Sequence, residues 1–286
     1  MNFNKKIGDK TVNPVGIGTW MMGGGIYLES KTTYAIYGTE AEEVIAIRHS
    51  IELGQNHIDT AQMYGAGHTE EVVGEAIEGL DRESLFIASK VWKSHATQEA
   101  VSYSIEDMLQ RMKIEYLDLV YIHAPFPEVE MAEYIQGLNG AIDKGLTKYI
   151  GVSNFTLEQL KQAVELSKHP ITAVQNHFNL LHKAEFPEEM KSYCVENNIA
   201  MVAYRPLGRK MLADECTNTT LLEMAKKYEK TPAQIALNWL ISQESMHAIP
   251  KASKLENIEE NVGALEFEIS EEDLSTLSKL PDETQK

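Results

Sequence analysis

The segment Leu85-Phe86-Ile87-Ala88-Ser89-Lys90 (residues 85–90) is a short apolar run that ends in one charged side chain. Two other runs share this design, Asn56-His57-Ile58-Asp59 (residues 56–59) and Leu119-Val120-Tyr121-Ile122-His123 (residues 119–123). Such runs are typical of strands buried on both faces of a parallel sheet. In a parallel barrel the C-terminal ends of all strands meet on one face, where the chemistry takes place. The three terminal side chains, an amine, an acid and an imidazole, are therefore predicted to meet.

Short apolar runs alternate with amphipathic helical patterns along the whole chain. Eight runs are predicted to be strands: residues 15–19, 56–60, 85–91, 119–124, 149–152, 173–176, 200–204 and 248–250. Strict alternation of strands and helices produces a parallel sheet. Eight repeats within 286 residues favour a closed (β/α)8 TIM barrel of the α/β class over an open doubly wound sheet. No Pro/Gly/Ser-rich linker divides the chain, so we expect residues 1–286 to form a single domain.

Local signals predict where several elements begin. Residues 156–159 and 231–234 match the capping-box pattern of helix N-termini, and residues 253–256 match it as well. Residues 3–12 are predicted to form a hairpin that closes the bottom of the barrel. Residues 21–39 form a long, glycine-containing connection after the first strand, and a connection of this length is usually functional or disordered. We expect it to fold over a ligand as a lid.

Composition argues against several classes of function. The net charge of −17, from 26 basic and 43 acidic residues, disfavours nucleic acid or an anionic membrane as the main partner, since both need a basic face. Cys194 and Cys216 cannot form a disulfide framework and are interpreted as inert thiols. The N-terminus has no signal-peptide pattern, and no run approaches the ~20 apolar residues that span a bilayer. We therefore expect a cytoplasmic monomer that acts on a small molecule.

Tyr64 adds a phenol to the predicted group of Asp59, Lys90 and His123. A phenol with a pKa of ~10 is a weak proton donor at neutral pH unless its anion is stabilised. Lys90 is the candidate for that stabilisation, with Asp59 as its counter-charge, so we expect the pKa of Tyr64 to be lowered. The group suits protonation of a carbonyl oxygen, with His123 orienting the substrate. No side chain donates hydride, so a cofactor must supply it.

Five segments resemble, in the same order, signatures of the aldo-keto reductases. They are Gly16-Ile17-Gly18-Thr19-Trp20, His57-Ile58-Asp59-Thr60-Ala61-Gln62-Met63-Tyr64-Gly65, Ile122-His123-Ala124-Pro125, Gly151-Val152-Ser153-Asn154-Phe155 and Ile249-Pro250-Lys251. The resemblance implies a (β/α)8 enzyme that reduces aldehydes or ketones with a nicotinamide cofactor. It also implies that Tyr64 is the acid/base and that Asp59, Lys90 and His123 support it.

The resemblance further implies a set of cofactor-binding residues, with NADP(H) as the expected cofactor and NAD(H) as the alternative. The matching positions are Gly18, Thr19, Trp20, Asp59, Ser153, Asn154, Gln175, Tyr204, Pro206, Leu207, Pro250, Lys251, Ser253, Asn257, Glu260 and Asn261. Ser153, Asn154 and Gln175 match the groups that hold the nicotinamide carboxamide, and Tyr204 matches the ring that stacks on the nicotinamide. Lys251 and the residues after it match the adenosine end of the site.

Two departures from the family pattern affect these expectations. Asn257 stands where many NADPH-preferring members have an arginine, so a guanidinium that could clamp a 2′-phosphate is missing. A charge-assisted hydrogen bond contributes roughly 1.5–3 kcal/mol, which is enough to level the preference between NADP and NAD. The chain also ends soon after the terminal helix pattern at residues 270–280, so we expect the tail to form little of the substrate pocket.

Each of these residues also has a purely structural interpretation. Asp59 and Lys90 alone would be read as a structural ion pair, and His123 alone as a half-buried histidine. Ser253 is explained equally well by capping a helix or by contacting a phosphate. Tyr204 and the tryptophans that follow the first and third strands are also consistent with core packing. The ordered set of motifs, rather than any one residue, favours the functional interpretation.

Other functions lead to different expectations. One alternative is a non-catalytic nicotinamide-binding subunit that senses redox state and regulates a protein partner. A metal-dependent hydrolase of the same fold would carry His-x-His on the first strand, and residues 16–20 contain no histidine. We also find no supporting carboxylate pattern around His177 and His182, and therefore predict no metal site. A small-molecule carbonyl compound is the expected substrate.

Overall fold

The structure, a computed structural model, describes residues 5–24, 26–28, 31–33, 39–92, 95 and 97–282. Its strands are β1 (Lys5–Ile7), β2 (Lys10–Val12), β3 (Ile17–Gly18), β4 (Ile26–Leu28), β5 (Lys31–Thr33), β6 (His57–Asp59), β7 (Phe86–Val91), β8 (Leu117–Ile122), β9 (Thr147–Ser153), β10 (Ile171–His177), β11 (Ala200–Tyr204) and β12 (Met246–Ile249). The strands β3 and β6 to β12 form one parallel sheet in sequential order. Each of the eight predicted runs overlaps one of these strands, so the predicted TIM barrel is confirmed.

The barrel closes where its first and last strands meet. Parallel bridges join Val15 to Ala248 and Gly18 to Lys251. The chain at and just before β3 packs closely against β6 and β12. A Cβ atom on Gly16 would lie 2.6 Å from the carbonyl oxygen of His57. A Cβ on Gly18 would likewise lie 2.8 Å from the carbonyl oxygen of residue 249 on β12. Such contacts are far inside van der Waals separation, so the glycines allow the closure.

The hairpin predicted near the N-terminus is present as β1 and β2, which pair antiparallel. Its side chains Ile7 and Val12 are buried in a cluster with Phe86, Leu119 and other residues that line the inside of the barrel. The hairpin therefore plugs the N-terminal end of the barrel and leaves the opposite end for the site. A second, larger core lies between the outside of the sheet and the helices.

The helices surround the sheet. They are α1 (Glu40–Glu52), α2 (His68–Ile77), α3 (Gln98–Met112), α4 (Met131–Asp143), α5 (Leu157–Leu166), α6 (Glu188–Glu196), α7 (Thr219–Tyr228), α8 (Pro232–Ile241), α9 (Leu255–Val262) and α10 (Glu271–Ser278). Reciprocal capping boxes begin α5 at Thr156 and α8 at Thr231, as predicted. None of the helices among the described residues is long and apolar enough to cross a membrane.

The capping box predicted at residues 253–256 is wrong. Helix α9 begins after Lys254, which provides no side-chain hydrogen bond to the helix. The hydroxyl oxygen of Ser253 instead accepts a hydrogen bond from Nζ of Lys251 at 2.7 Å. A charged ammonium is a stronger donor than a backbone N–H, and here it takes the oxygen that a cap would need.

The connection at residues 21–39 contains the antiparallel hairpin of β4 and β5. Its beginning is fixed to the barrel: the backbone N–H of Gly23 donates to Oε2 of Glu43 at 2.8 Å, and Thr69 Oγ1 donates to the carbonyl oxygen of Met22 at 2.6 Å. Residues 25, 29–30 and 34–38 lie outside the described residues, and the expectation of a lid concerns this part of the chain.

Candidate active site

The C-terminal ends of β6 and β7 place an acid and an amine in direct contact. Nζ of Lys90 donates to Oδ1 of Asp59 at 2.5 Å and to the carbonyl oxygen of Thr60 at 2.7 Å. Both side chains are almost completely buried, with 1% and 3% of their surface exposed. Burial lowers the pKa of Lys90, and the charge and hydrogen bond of Asp59 oppose that effect. A buried ammonium is costly unless it is paired, so the two side chains depend on each other.

Tyr64 lies in the turn after β6, just before a single 3₁₀ turn at Gly65–Gly67. Its half-buried ring has Nζ of Lys90 at 5.3 Å from the centroid. The ring of His123, the residue that follows β8, meets it edge to face with centroids 6.0 Å apart. The structure thus brings together the acid, the amine, the phenol and the imidazole that the sequence placed at separate strand ends.

The expected lowering of the pKa of Tyr64 is wrong for the protein as it stands. Burial, followed by the negative charge of Asp59 and the neighbouring phenol of Tyr204, raises the pKa of Tyr64, and the charge of Arg205 opposes this only in part. The physical reason is first that burial disfavours a charged phenolate, and second that the carboxylate of Asp59 repels it. Tyr64 therefore keeps its proton at neutral pH.

His123 is a neutral imidazole in this environment. Burial, followed by the charge of Lys90, holds the pKa of His123 well below its usual value. The indole of Trp92 packs against the ring at right angles, with centroids 5.1 Å apart. Among the described residues, Nδ1 of His123 has no hydrogen-bond partner although it is buried. A neutral imidazole keeps one N–H group, which can donate a hydrogen bond to a polar group of a ligand, such as a carbonyl oxygen.

The amides predicted to hold a nicotinamide lie beside this group and contact it directly. Nε2 of Gln175 donates to Oδ2 of Asp59 at 2.7 Å. Nδ2 of Asn154 donates to the carbonyl oxygen of His123 at 2.8 Å and to Oγ of Ser153 at 3.2 Å. A left-handed backbone conformation, with φ of +60°, turns Asn154 towards these partners. The amide on β10 is thus oriented by Asp59, and the amide that follows β9 is oriented by the backbone of His123.

Tyr204, at the end of β11, packs against the core inside the barrel and also contacts one of the predicted nicotinamide amides. It is half-buried, and its hydroxyl donates to Oδ1 of Asn154 at 2.7 Å. His177 stacks on the ring, with centroids 5.4 Å apart and planes 15° apart. The guanidinium of Arg205 lies 5.9 Å from the Tyr204 ring and 5.5 Å from the ring of Trp20. Trp20 and Tyr204 therefore line the same side of the site.

Lys251 follows β12 at the point where the barrel closes on Gly18. Burial lowers the pKa of Lys251, and the charge of Glu43 opposes this. Asn257 is exposed near the beginning of α9, whereas Asn261 is buried on the same helix. The remaining predicted residues occupy the same end of the barrel: Thr19 and Pro206 are buried, and Trp20, Leu207, Ser253 and Glu260 are half-buried.

Two buried carboxylates close to the site were missed in the sequence. Glu43 is 3% exposed and faces Lys251, and burial raises its pKa. Glu70 is fully buried; it accepts hydrogen bonds from Ser89 at 2.6 Å and from Arg111 at 2.6 Å, on the far side of β7. The first had a visible signal, because Glu43 lies three and four residues before Ala46 and Ile47 and so falls on the buried face of its helix.

Comparisons with known proteins agree with this architecture. A model of the Aldo/keto reductase family matches residues 14–282. The chain is 31% identical to the methylglyoxal reductase YeaE of Escherichia coli, with 95% of this chain and 92% of the relative aligned. It is 35% identical to a glyoxal reductase of Bacillus subtilis over 85% of this chain and 84% of the relative.

Solved structures show the same likeness. A thermostable aldo-keto reductase, Tm1743, in complex with the inhibitor epalrestat superimposes with a TM-score of 0.88 at 37% identity, covering 96% of this chain and 98% of the other. An aldo-keto reductase of Klebsiella pneumoniae in complex with NADPH gives 0.82 at 30% identity, covering 96% and 95%. The chain belongs to the aldo-keto reductase family. It is an NAD(P)-dependent oxidoreductase.

Proposed function

We propose that this protein reduces small aldehydes or ketones to alcohols, with Tyr64 as the general acid. The observation that carries the proposal is the meeting of a protonated phenol, a neutral imidazole and a buried Lys90–Asp59 pair at the C-terminal end of one barrel. Reduction needs a hydride at the carbonyl carbon and a proton at the carbonyl oxygen. A reduced nicotinamide supplies the hydride when it is bound.

The phenol of Tyr64 supplies the proton in this proposal. Its raised pKa keeps it protonated at neutral pH, and the alkoxide that develops on the substrate is a stronger base than a phenolate. His123 holds the carbonyl oxygen by a hydrogen bond from its neutral ring and aims it at the Tyr64 hydroxyl. The Lys90 ammonium stabilises the phenolate that remains after proton transfer. Trp20 and Trp92 form apolar walls that hold the substrate.

We propose NADP(H) as the cofactor, with NAD(H) as the alternative. The residues fit a nicotinamide nucleotide, because amides of Asn154 and Gln175 and the half-buried ring of Tyr204 lie together beside the proton donor. Lys251 offers a cation for phosphate at the far end, and the Klebsiella relative binds NADPH. Two features weaken the binding of a 2′-phosphate at this end. Glu43 places a buried carboxylate near Lys251, and position 257 carries an asparagine instead of an arginine.

We propose small dicarbonyl compounds such as methylglyoxal and glyoxal as the first substrates to examine. The support is the similarity to the methylglyoxal reductase of E. coli and the glyoxal reductase of B. subtilis. We also propose that residues 1–286 form a single domain, because the family model matches residues 14–282 without interruption. We propose a monomer that binds neither nucleic acid nor anionic membranes, which the net charge of −17 supports, and a cytoplasmic location, with which the two free cysteines are consistent.

The test is a panel of aldehydes and ketones, each assayed with NADPH and with NADH by the loss of the absorbance band of the reduced cofactor. The proposal predicts saturable oxidation of the cofactor that depends on the carbonyl compound, with broad acceptance of small aldehydes and modest kcat/KM. Tight cofactor binding without turnover of any carbonyl, together with a stable protein partner, would instead favour the regulatory subunit.

A further inference from the structure

A cluster of two histidines and a glutamate lies beside the site without taking part in the proposed chemistry. His177 is the last residue of β10, and His182 ends the turn that follows, with paired backbone hydrogen bonds of 2.9 and 3.1 Å between residues 179 and 182. The two imidazole rings stack with centroids 3.7 Å apart and planes 22° apart. Nε2 of His182 also lies in direct contact with Oε2 of Glu185. The turn therefore gathers three side chains that ligate metals.

We propose that His177, His182 and Glu185 form a binding site for a divalent transition-metal ion of the Zn²⁺ type. One donor atom of each side chain lies within 4.8 Å of the other two, before any ion draws them together. Two imidazoles and a carboxylate are a donor set that Zn²⁺ uses where it keeps an open coordination position for water. The prediction of no metal site rested on the lack of a carboxylate pattern around His177 and His182, and Glu185 lies three residues after His182.

The surroundings of the cluster suit exchange with solvent. The side chain of His182 is 16% exposed and that of Glu185 is 43% exposed, so the cluster lies at the surface of the protein. The positively charged guanidiniums of Arg205 and Arg209 act on His177 from nearby. The two guanidiniums oppose a cation, and Glu185 and Asp282 offset them.

Metal binding has a geometric consequence for the neighbouring ring. The lone pair of an imidazole nitrogen lies in the plane of the ring, so two nearly parallel rings direct their lone pairs side by side. Both nitrogens can reach one ion at about 2.0–2.1 Å only if a ring rotates out of the stack. Rotation of His177 removes the face-to-face contact with Tyr204, whose centroid is now 5.4 Å away. This consequence, unlike the metal site itself, rests on the proposed cofactor site.

Equilibrium dialysis of the metal-free full chain against Zn²⁺, without any nucleotide, tests the site. The proposal predicts saturable binding of one ion per chain at micromolar Zn²⁺, weakened about tenfold or more in His182→Gln and in Glu185→Gln. The matched control is His169→Gln, because His169 is another carboxylate-paired histidine, 2.8 Å from Asp143. The control should bind Zn²⁺ as the wild type does, and Mg²⁺, which prefers oxygen ligands, should not compete.

Absence of saturable Zn²⁺ binding, or binding that survives unchanged in both His182→Gln and Glu185→Gln, would overturn the proposal. Circular dichroism of each variant separates a lost ligand from a lost fold. A second experiment measures the Kd for NADPH with and without Zn²⁺. Weaker NADPH binding in the presence of Zn²⁺, seen in the wild type and absent in His182→Gln, supports displacement of His177. An equal effect of Zn²⁺ on NADPH binding in the wild type and in His182→Gln contradicts the displacement of His177.

Discussion

Replacing Lys90 by methionine should lower the free energy of unfolding by about 3–5 kcal/mol, because the change leaves Asp59 as a buried carboxylate without its counter-charge. Nζ of Lys90 lies 2.5 Å from Asp59 and 2.7 Å from the carbonyl oxygen of Thr60, and only 1% of the side chain is exposed. After the substitution Asp59 keeps one close partner, because Nε2 of Gln175 still donates to its Oδ2 at 2.7 Å.

Urea-induced unfolding and calorimetry at neutral pH measure the effect. At roughly 2–4 °C per kcal/mol for a chain of a few hundred residues, the melting temperature should fall by about 10 °C. Lys168→Met is a matched control, since it breaks an ion pair with Asp143 of 2.8 Å in which both side chains are largely exposed. Exposed pairs contribute little, so the control should unfold at the urea concentration of the wild type.

A double variant, Asp59→Asn with Lys90→Met, separates lost charge pairing from lost packing. Because it removes both charges, it should recover part of the stability that Lys90→Met loses, while carbonyl reduction stays low in both variants. If Lys90→Met unfolds like the wild type, or if the double variant is less stable than the single one, the buried ion pair does not have the role we assign to it.

Two further predictions concern the adenosine end and the barrel floor. Asn257→Arg should lower KM for NADPH without lowering KM for NADH; equal changes would show that this position does not face the 2′-phosphate. Burial lowers the pKa of His57 from 6.5 to about 4. Between these pH values the unfolded chain therefore binds a proton at His57 that the folded chain does not bind. Above pH 6.5 the buried His57 does not lower the free energy of unfolding. As the pH falls from 6.5 towards 4, the free energy of unfolding decreases by about 3 kcal/mol. In His57→Leu, urea titrations from pH 7 to 4 should show a smaller loss than in the wild type; an unchanged loss would assign it to other groups.

The strands and the position of the site could be predicted because both depend on local patterns. An apolar run such as residues 85–90 is recognisable as a strand without knowledge of its neighbours. Once strands and helices alternate, the parallel topology carries the C-terminal residue of every strand to the same face. Asp59, Lys90 and His123 are separated by dozens of residues in the chain, yet their meeting follows from three local patterns and one rule of topology.

Features that depend on competition between distant side chains could not be predicted in the same way. Ser253 has the residue type and spacing of a helix cap, but Lys251 takes its oxygen. The pKa of Tyr64 rises mainly because its phenol is buried and also because of the negative charge of Asp59, and no spacing in the sequence reveals either effect. Glu185 was overlooked beside His182 because its significance depends on how tightly the turn folds.

The most direct test of the central claim is kcat of Tyr64→Phe for methylglyoxal, measured together with the Kd for NADPH. The substitution deletes one hydroxyl from a half-buried ring and leaves the Lys90–Asp59 pair in place. Tyr103→Phe, which removes the hydroxyl of a tyrosine that is 68% exposed on α3, is the control. We predict a fall of ~100-fold or more in kcat with nearly unchanged NADPH binding in Tyr64→Phe, and wild-type values in Tyr103→Phe. A Tyr64→Phe variant that keeps the kcat of the wild type would contradict the assignment of Tyr64 as the general acid.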